Sequence, residues 1–409
     1  MPKRMYVIHA VGVFISIFLS TNSASSQSGG GWLFLPSIVA GFPADLSISH
    51  WETTQAVQTA TNSVPQVAQR PTLIRLYASS GTQNPINEVT VDLAASRDGI
   101  VLPGSPIQVS PVTISGLATR DVYSSTVNIS LPVEWASGTV VYTATIDAGN
   151  VVPEANENNN KVFWTTTYIS VPPLKLVILP LRHIESTSGA VHTIGPTHSI
   201  SPYLMRMFPF STIDITQHPQ VDFFGDLTQP TDWARLINVI VALKRSENAP
   251  QTAVYLGVLP ASSPVIYGGY SISGDRISLV VENSGLTEVH EIGHTFGRTH
   301  ADCGGAQRAD PDYPYPGGLI GQYGVDLVDK RVFGPDMAHD VMSYCMDWIS
   351  DYTYIGIMND QLQRVSSAST ESKAAVLGSS SVPEPTLVFN GLQSVFDIYG
   401  SPELEFPGP

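Results

Sequence analysis

Val289-His290-Glu291-Ile292-Gly293-His294-Thr295-Phe296-Gly297-Arg298-Thr299-His300 is the stretch from which the rest of this chain is read. It sets three imidazoles and one carboxylate at a spacing suited to a single metal ion. His290 and His294 are four residues apart, so on a helix both rings leave one face about a turn from each other. A helix continuing straight would carry His300 roughly 9 Å further along its axis. The third ring therefore needs a bend, and Gly297 supplies it, because a residue without Cβ accepts positive φ at the end of a helix. Imidazole nitrogen and four-coordination are the preferences of zinc, and three protein ligands leave a position for water whose pKa falls to roughly 7. Zinc over other divalent ions rests on this ligand type. Glu291, beside the first ligand, is placed to act as general base. An amphipathic helix with surface histidines is the alternative. With 10 His and 33 Gly in 409 residues, requiring a glycine and a histidine at set places lowers its expectation roughly 500-fold.

Downstream lies Asp340-Val341-Met342-Ser343-Tyr344-Cys345, which resembles a Met-turn. HExxHxxGxxH followed by such a turn is the metzincin signature, so the chain resembles the metzincin zinc proteases over about 174–365, with the diagnostic motifs in 284–303 and 340–354. Ala301-Asp302-Cys303 follows the third histidine, and the overall pattern is similar to bacterial-type secreted members of the reprolysin and gametolysin kind. The resemblance implies one catalytic zinc on His290, His294 and His300, Met342 beneath the rings as an apolar base, and Tyr344 steadying an oxyanion beside the catalytic Glu291. It implies that 265–271, with Gly268, Gly269 and Tyr270, is the edge strand that receives an extended substrate, and that 347–352 walls the adjoining pocket. It also brings Cys303 and Cys345 close together. A disulfide between them would close a loop of about 42 residues and add roughly 4 kcal/mol in the chain-entropy model; two free buried thiols are the alternative.

A formal charge of −15, with 43% hydrophobic and 13% charged residues, argues against nucleic acid and anionic membrane as partners, since both need basic patches. Lys3 and Arg4, the apolar run 6–19 and a small-residue segment with Ala24 read as a secretory signal over 1–26. The run is short of the roughly 20 residues that span a bilayer, so no membrane insertion is expected once the signal is removed. Residues 27–42 read as a spacer.

From 43 to 172 short alternating strands at 71–77, 88–94, 125–131, 140–146 and 161–170 are separated by Pro, Gly, Asn and Ser, the pattern of an all-β immunoglobulin-like sandwich. Val152-Pro153-Glu154-Ala155-Asn156-Glu157-Asn158-Asn159-Asn160-Lys161 before the last strand is similar to the end of CARDB modules, the adhesion-related sandwiches of bacterial surface proteins. Its oxygen-rich side chains suit calcium or, more simply, a solvated turn. Asp302, Asp310 and Asp312 offer calcium a second option. Pro172-Pro173 marks a linker. A buried strand at 174–181, a helix at 232–246 capped by Thr231, strands at 253–258 and 276–281, and a helix capped by Ser284 complete an α+β domain over 173–365. His183, His192, His198, His218 and His339 have no partner at ligand spacing. Residues 366–409 read as a Ser/Pro/Gly-rich tail with β-like pieces at 386–389 and 394–399.

The expected fold is thus an α+β metzincin catalytic domain, with mixed sheet, active-site helix and Met-turn, preceded by an immunoglobulin-like sandwich. The expected function is that of a secreted or cell-surface zinc endopeptidase acting on protein or peptide, its rivals being an adhesion protein whose metal domain is not catalytic and a protease specific for extracellular glycoproteins.

Overall fold

The computed structural model describes residues 44–377 except 83, 196 and 197, and the side chains of those residues except 110 and 368–377. The signal segment 1–26, the spacer 27–42, residue 43 and the pieces at 386–389 and 394–399 lie outside the described residues. The described chain is mostly β with four α-helices among the described residues.

The first half supplies β1 (Ser47–Thr54), β2 (Val57–Gln58), β3 (Gln66–Val67), β4 (Leu73–Ser79), β5 (Ile86–Arg97), β6 (Ile100–Val101), β7 (Ile107–Ile114), β8 (Val127–Ser130), β9 (Gly138–Ile146) and β10 (Lys161–Ile169). One sheet runs β1-β4-β8; the other runs β3-β10-β9-β5-β6, with β7 also on β5. Side chains alternate faces along a strand, so Val89, Val91, Leu93 and Ala95 of β5 and Val140, Tyr142, Ala144 and Ile146 of β9 enter a core closed by Trp135 and Trp164. The five strands expected from the sequence are present with ends shifted by a few residues. Two long ones are additional. β1 hides its period because it buries Glu52, whose carboxylate is held by Arg75 at 3.2 Å, by Arg120 and by Tyr77. β7 carries Pro111, which reads as a break, yet proline is tolerated where a strand has a neighbour on one side only, and among the described residues β7 pairs with β5 alone.

The second half is built on β11 (Leu174–Glu185). Around it lie β12 (Val191–Thr193), β13 (Ile213–Gln217), β14 (Val221–Gly225), β15 (Val254–Leu259), β16 (Gly269–Ile272) and β17 (Ile277–Val281), in the order β12-β11-β15-β17-β16 with β13 and β14 on β11. β13, β14 and β15 run parallel to β11, and β16 is the antiparallel edge strand on β17. Helix α1 (Pro202–Met207) precedes β13, α2 (Pro230–Ser246) joins β14 to β15, and α3 (Leu286–Thr295) follows β17. The period of two sorts the sheet's side chains. Leu176, Ile178, Leu256 and Val258 face Val289 and Ile292 of α3, while Leu179, Leu181, Tyr255 and Leu279 face Trp233, Leu236 and Ile240 of α2.

Several local expectations are corrected. Helix α2 starts at Pro230 with Gln229 as its cap residue and no side-chain cap, so Thr231 lies inside it; proline fits the first helical position because no N–H is needed there. Helix α3 is preceded by Gly285 at φ 59°, and Ser284 makes no capping bond. The edge strand begins at Gly269, not at 265, because the Ile266 amide is spent on Leu227 O at 3.0 Å. A final helix, α4 (Asp351–Leu377), runs past 365 into what reads as tail. Even so, no helix of the described residues is long and apolar enough to cross a membrane.

The two halves share a core. Ala56, Val57, Val64 and Val67 pack in the same cluster as Leu176, Val289, Met342 and Trp348. β2 pairs with β18 (Tyr323–Asp326), which pairs in turn with β19 (Arg331–Phe333). Buried Arg70 donates to Phe210 O at 3.3 Å and Arg206 O at 2.9 Å, and Trp348 Nε1 donates to Ala56 O at 2.8 Å. Pro172-Pro173 is accordingly no free linker: Val171 and Leu174 are in the core, and Gln361 Nε2 donates to Pro173 O at 3.1 Å.

Candidate metal centre

Helix α3 is set by Val289, Ile292 and Phe296, whose spacing of three and four turns one apolar stripe onto the sheet. The stripe leaves His290 and His294 together on another face. The helix stops where the sequence says it should. Gly297 has φ 72°, its amide donates to His294 O at 2.9 Å, and the Arg298 amide donates to Gly293 O at 3.4 Å. That pair of bonds is the Schellman termination, which turns the chain sharply and returns His300 to the other two rings.

All three rings are buried, at 0%, 5% and 1% exposure for His290, His294 and His300. His294 Nε2 lies 3.0 Å from His290 Nε2 and 3.1 Å from His300 Nε2. Each remaining ring nitrogen faces a main-chain carbonyl: His290 Nδ1 on Val341 O at 2.7 Å, His294 Nδ1 on Arg298 O at 2.6 Å, His300 Nδ1 on Gln307 O at 2.7 Å. A carbonyl only accepts, so every Nδ1 carries its proton and every neutral ring turns an Nε2 lone pair toward the same point. Three lone pairs in contact repel unless a cation sits between them. Tetrahedral zinc at about 2.0–2.1 Å from nitrogen would hold such atoms about 3.3–3.4 Å apart, so the donor set fits zinc after a small expansion. The carbonyls are the outer partners that fix ring orientation in such sites.

Met342, 1% exposed, packs against Gly293, where a Cβ would strike its sulfur. Its turn is built by buried Asp340, which accepts from the Met342 amide at 2.6 Å and the Ser350 amide at 2.8 Å; burial pushes that carboxyl up from its ordinary pKa. The Ala301 amide donates to Met342 O at 3.0 Å, linking the turn to the third histidine. Tyr344 stacks edge-on to His300 with ring centres 4.9 Å apart. Cys303 and Cys345 form a disulfide, so their grouping with His339 is no metal site; His339 Nδ1 sits on Asp347 Oδ2 at 2.9 Å.

The residues expected on a substrate strand divide. Gly269 lies against Glu291, whose carboxylate would strike a Cβ there. Gly268 is partly exposed. Tyr270, 3% exposed, turns to the opposite core beside Trp233, so its side chain lines no cleft. Ser271, which the sequence reading passed over, donates to Glu291 Oε2 at 2.6 Å; no local pattern marks it, because its partner is twenty residues away. The expected pocket wall is also corrected. Trp348, Ile349 and Ser350 are fully buried, with Trp348 stacked on Phe333 at 4.6 Å, and only Asp351 and Tyr352 reach a groove of about 600 Å³ lined also by Arg298, Tyr315 and Asn359.

In the oxygen-rich turns several carboxylates accept hydrogen bonds from within the chain. Asp147 accepts from the Val151 and Val152 amides at 3.1 and 2.7 Å, Glu154 accepts from Asn160 at 3.0 Å, and Asp310 accepts from the Asp312 amide at 3.0 Å and Tyr352 OH at 2.9 Å. His192, His198 and His218 each sit on a carboxylate, of Glu185, Glu288 and Glu247 at 2.6, 3.1 and 2.7 Å, and His183 Nε2 sits on Gly225 O at 3.1 Å.

A family model described as CARDB matches residues 80–163, and this part of the chain is an immunoglobulin-like CARDB domain. No curated protein matches the chain. Among solved structures, the CARDB domain of a Pyrococcus furiosus protein in complex with di-metal ions is 14% identical over 31% of this chain and 89% of its own, with a TM-score of 0.21. A domain assigned to a cell-surface protein of Methanosarcina acetivorans is 17% identical over 31% and 94%, with a TM-score of 0.22. A Paenibacillus cycloisomaltooligosaccharide glucanotransferase is 12% identical over 53% and 28%, with a TM-score of 0.21. The assignment of the sandwich rests on the family model and on the strands themselves.

Proposed function

We propose that this chain is a secreted zinc-dependent endopeptidase of the metzincin kind. The observation that carries the reading is the convergence of three buried Nε2 atoms whose Nδ1 partners are all main-chain carbonyls. Zinc held by His290, His294 and His300 would supply Lewis acidity toward a peptide carbonyl and acidify water. Glu291, adjacent to the first ligand, takes the proton from water and returns it to the leaving amine. The Tyr344 phenol, beside His300, donates to the oxygen on which negative charge develops. Met342 and Gly293 keep the floor apolar, which strengthens these interactions. β16 is the last strand in the order of its sheet among the described residues, a place suited to an extended peptide through main-chain bonds.

The test is metal content by mass spectrometry together with casein and gelatin cleavage, with and without a chelator. Glu291→Gln should keep its zinc and lose turnover. Full proteolysis by that variant, or wild-type protein that takes up no zinc, would remove the reading.

The CARDB domain favours a second reading, a surface adhesion protein in which the metal domain is a scaffold. Zinc at one per chain with no cleavage of casein, gelatin or mucin would support it. Cleavage of mucin alone would make the chain a protease for glycoproteins. Calcium bound in addition to zinc would appear in the same metal analysis.

A further inference from the structure

The Glu291 carboxylate is fully buried, and it is held from the sheet. Ser271 Oγ lies 2.6 Å from Glu291 Oε2 and 2.9 Å from the Glu291 main-chain oxygen. A hydroxyl has one proton to give. A charged oxygen at the shorter distance is the stronger acceptor, so the carboxylate receives it. Ser278 Oγ, 3.1 Å from Ser271 Oγ, is a third and more distant acceptor for the same proton, on the residue paired with Ser271 across β16 and β17. Both serines are buried, so the donor is fixed by a paired, enclosed part of the sheet. Gly269 stands two residues earlier and therefore on the same face of the strand. A Cβ at that position would collide with the carboxylate. One residue of the face vacates the space that the side chain fills, and the next grips it.

We propose that Ser271 is a positioning residue for Glu291. Its hydrogen bond to Oε2 holds the carboxylate in one rotamer, so that the general base is oriented before substrate arrives and is not left to sample the buried space beside Gly269. The catalytic consequence rests on the peptidase reading above; the hydrogen bond does not. A serine that merely satisfied its own hydroxyl in the core would leave the behaviour of the carboxylate unchanged when removed.

The experiment compares the zinc-loaded wild type, Ser271→Ala and Glu291→Gln. The infrared carboxylate band lost in Glu291→Gln identifies Glu291. In Ser271→Ala that band should move to the frequency of a carboxylate lacking the hydroxyl donor. Turnover of a fluorogenic peptide should fall roughly ten- to hundredfold in kcat, the scale of one hydrogen bond to a charged group, with KM and zinc content unchanged. An unmoved band with unmoved kcat overturns the inference, as does a fall in kcat matched by an equal fall in zinc content. Should Ser271→Ala fail to fold, Gly269→Ala displaces the carboxylate from the same place with the hydroxyl retained, and the same band must move or the inference fails. A wild type without peptidase activity whose band still shifts in Ser271→Ala removes the peptidase reading and leaves the positioning bond standing.

Discussion

His294 Nδ1 faces the carbonyl of Arg298, four residues ahead and just past the glycine bend, at 2.6 Å. One carbonyl thus orients the second imidazole and belongs to the turn that delivers the third. The bend and the ring geometry are mechanically one unit, and its weak point is Gly297 at φ 72°. Gly297→Ala should cost about 1 kcal/mol of stability, the penalty of placing Cβ in the left-handed region, and should weaken zinc binding by more than that loss implies, because both rings shift. Gly297→Asn, which tolerates that region better, should fall between. Zinc titration and urea unfolding check this; equal zinc affinity in all three proteins would refute it.

The Cys303–Cys345 disulfide closes a loop of sequence separation 42 that begins three residues after the third histidine and runs through the Met342 turn. The Tyr344 amide donates to Cys303 O at 3.2 Å across the same junction. Replacing both cysteines with serine should lower unfolding free energy by up to about 4 kcal/mol, with zinc affinity falling in parallel. Denaturant midpoints measured with and without reductant read this out. An unchanged midpoint would show that hydrogen bonds alone hold the junction.

Because Ala56, Val57, Val64 and Val67 lie in the core of the histidine helix, the first half of the described chain and the half carrying the three histidines should melt in one calorimetric transition. Arg70→Ala leaves the carbonyls of Phe210 and Arg206 without their buried donor, and truncating a fully buried side chain adds a cavity, so the single transition should drop by roughly 3 kcal/mol or more. Two separated transitions in the wild type would contradict the shared core.

Lys244 is buried, its Nζ donating to the carbonyls of Ala253 and Asp275 at 2.6 Å each, and burial lowers its pKa to about 8. The folded protein therefore releases this proton more readily than the unfolded chain, whose lysine keeps it to about pH 10.5. Between those values the unfolded state binds more protons, so this group makes stability rise with pH, with its full contribution above the unfolded pKa. The wild type should gain stability relative to Lys244→Met as pH rises from 8 to 10. Parallel pH profiles in urea would show that the amine is not desolvated.

The sequence by itself was enough for whatever is local. The four-residue spacing of His290 and His294, the glycine at the helix end, and the period-two strands of the CARDB half depend on neighbours within a turn or a strand pair, so pattern and backbone conformation determine them. The helix caps escaped, because Gln229 and Gly285 take the cap positions that Thr231 and Ser284 match better by side-chain chemistry, and so did β1, whose buried Glu52 is neutralised by residues far along the chain. Only the tertiary structure decided the rest. That Val341 orients His290, that Tyr270 packs beside Trp233, that Trp348 bonds to Ala56 of the first half, and that Ser271 reaches Glu291 are all contacts between segments distant in sequence. Such contacts are chosen by packing of the whole core, where a side chain's partner is set by the register of strands and the seating of helices and not by its own neighbours.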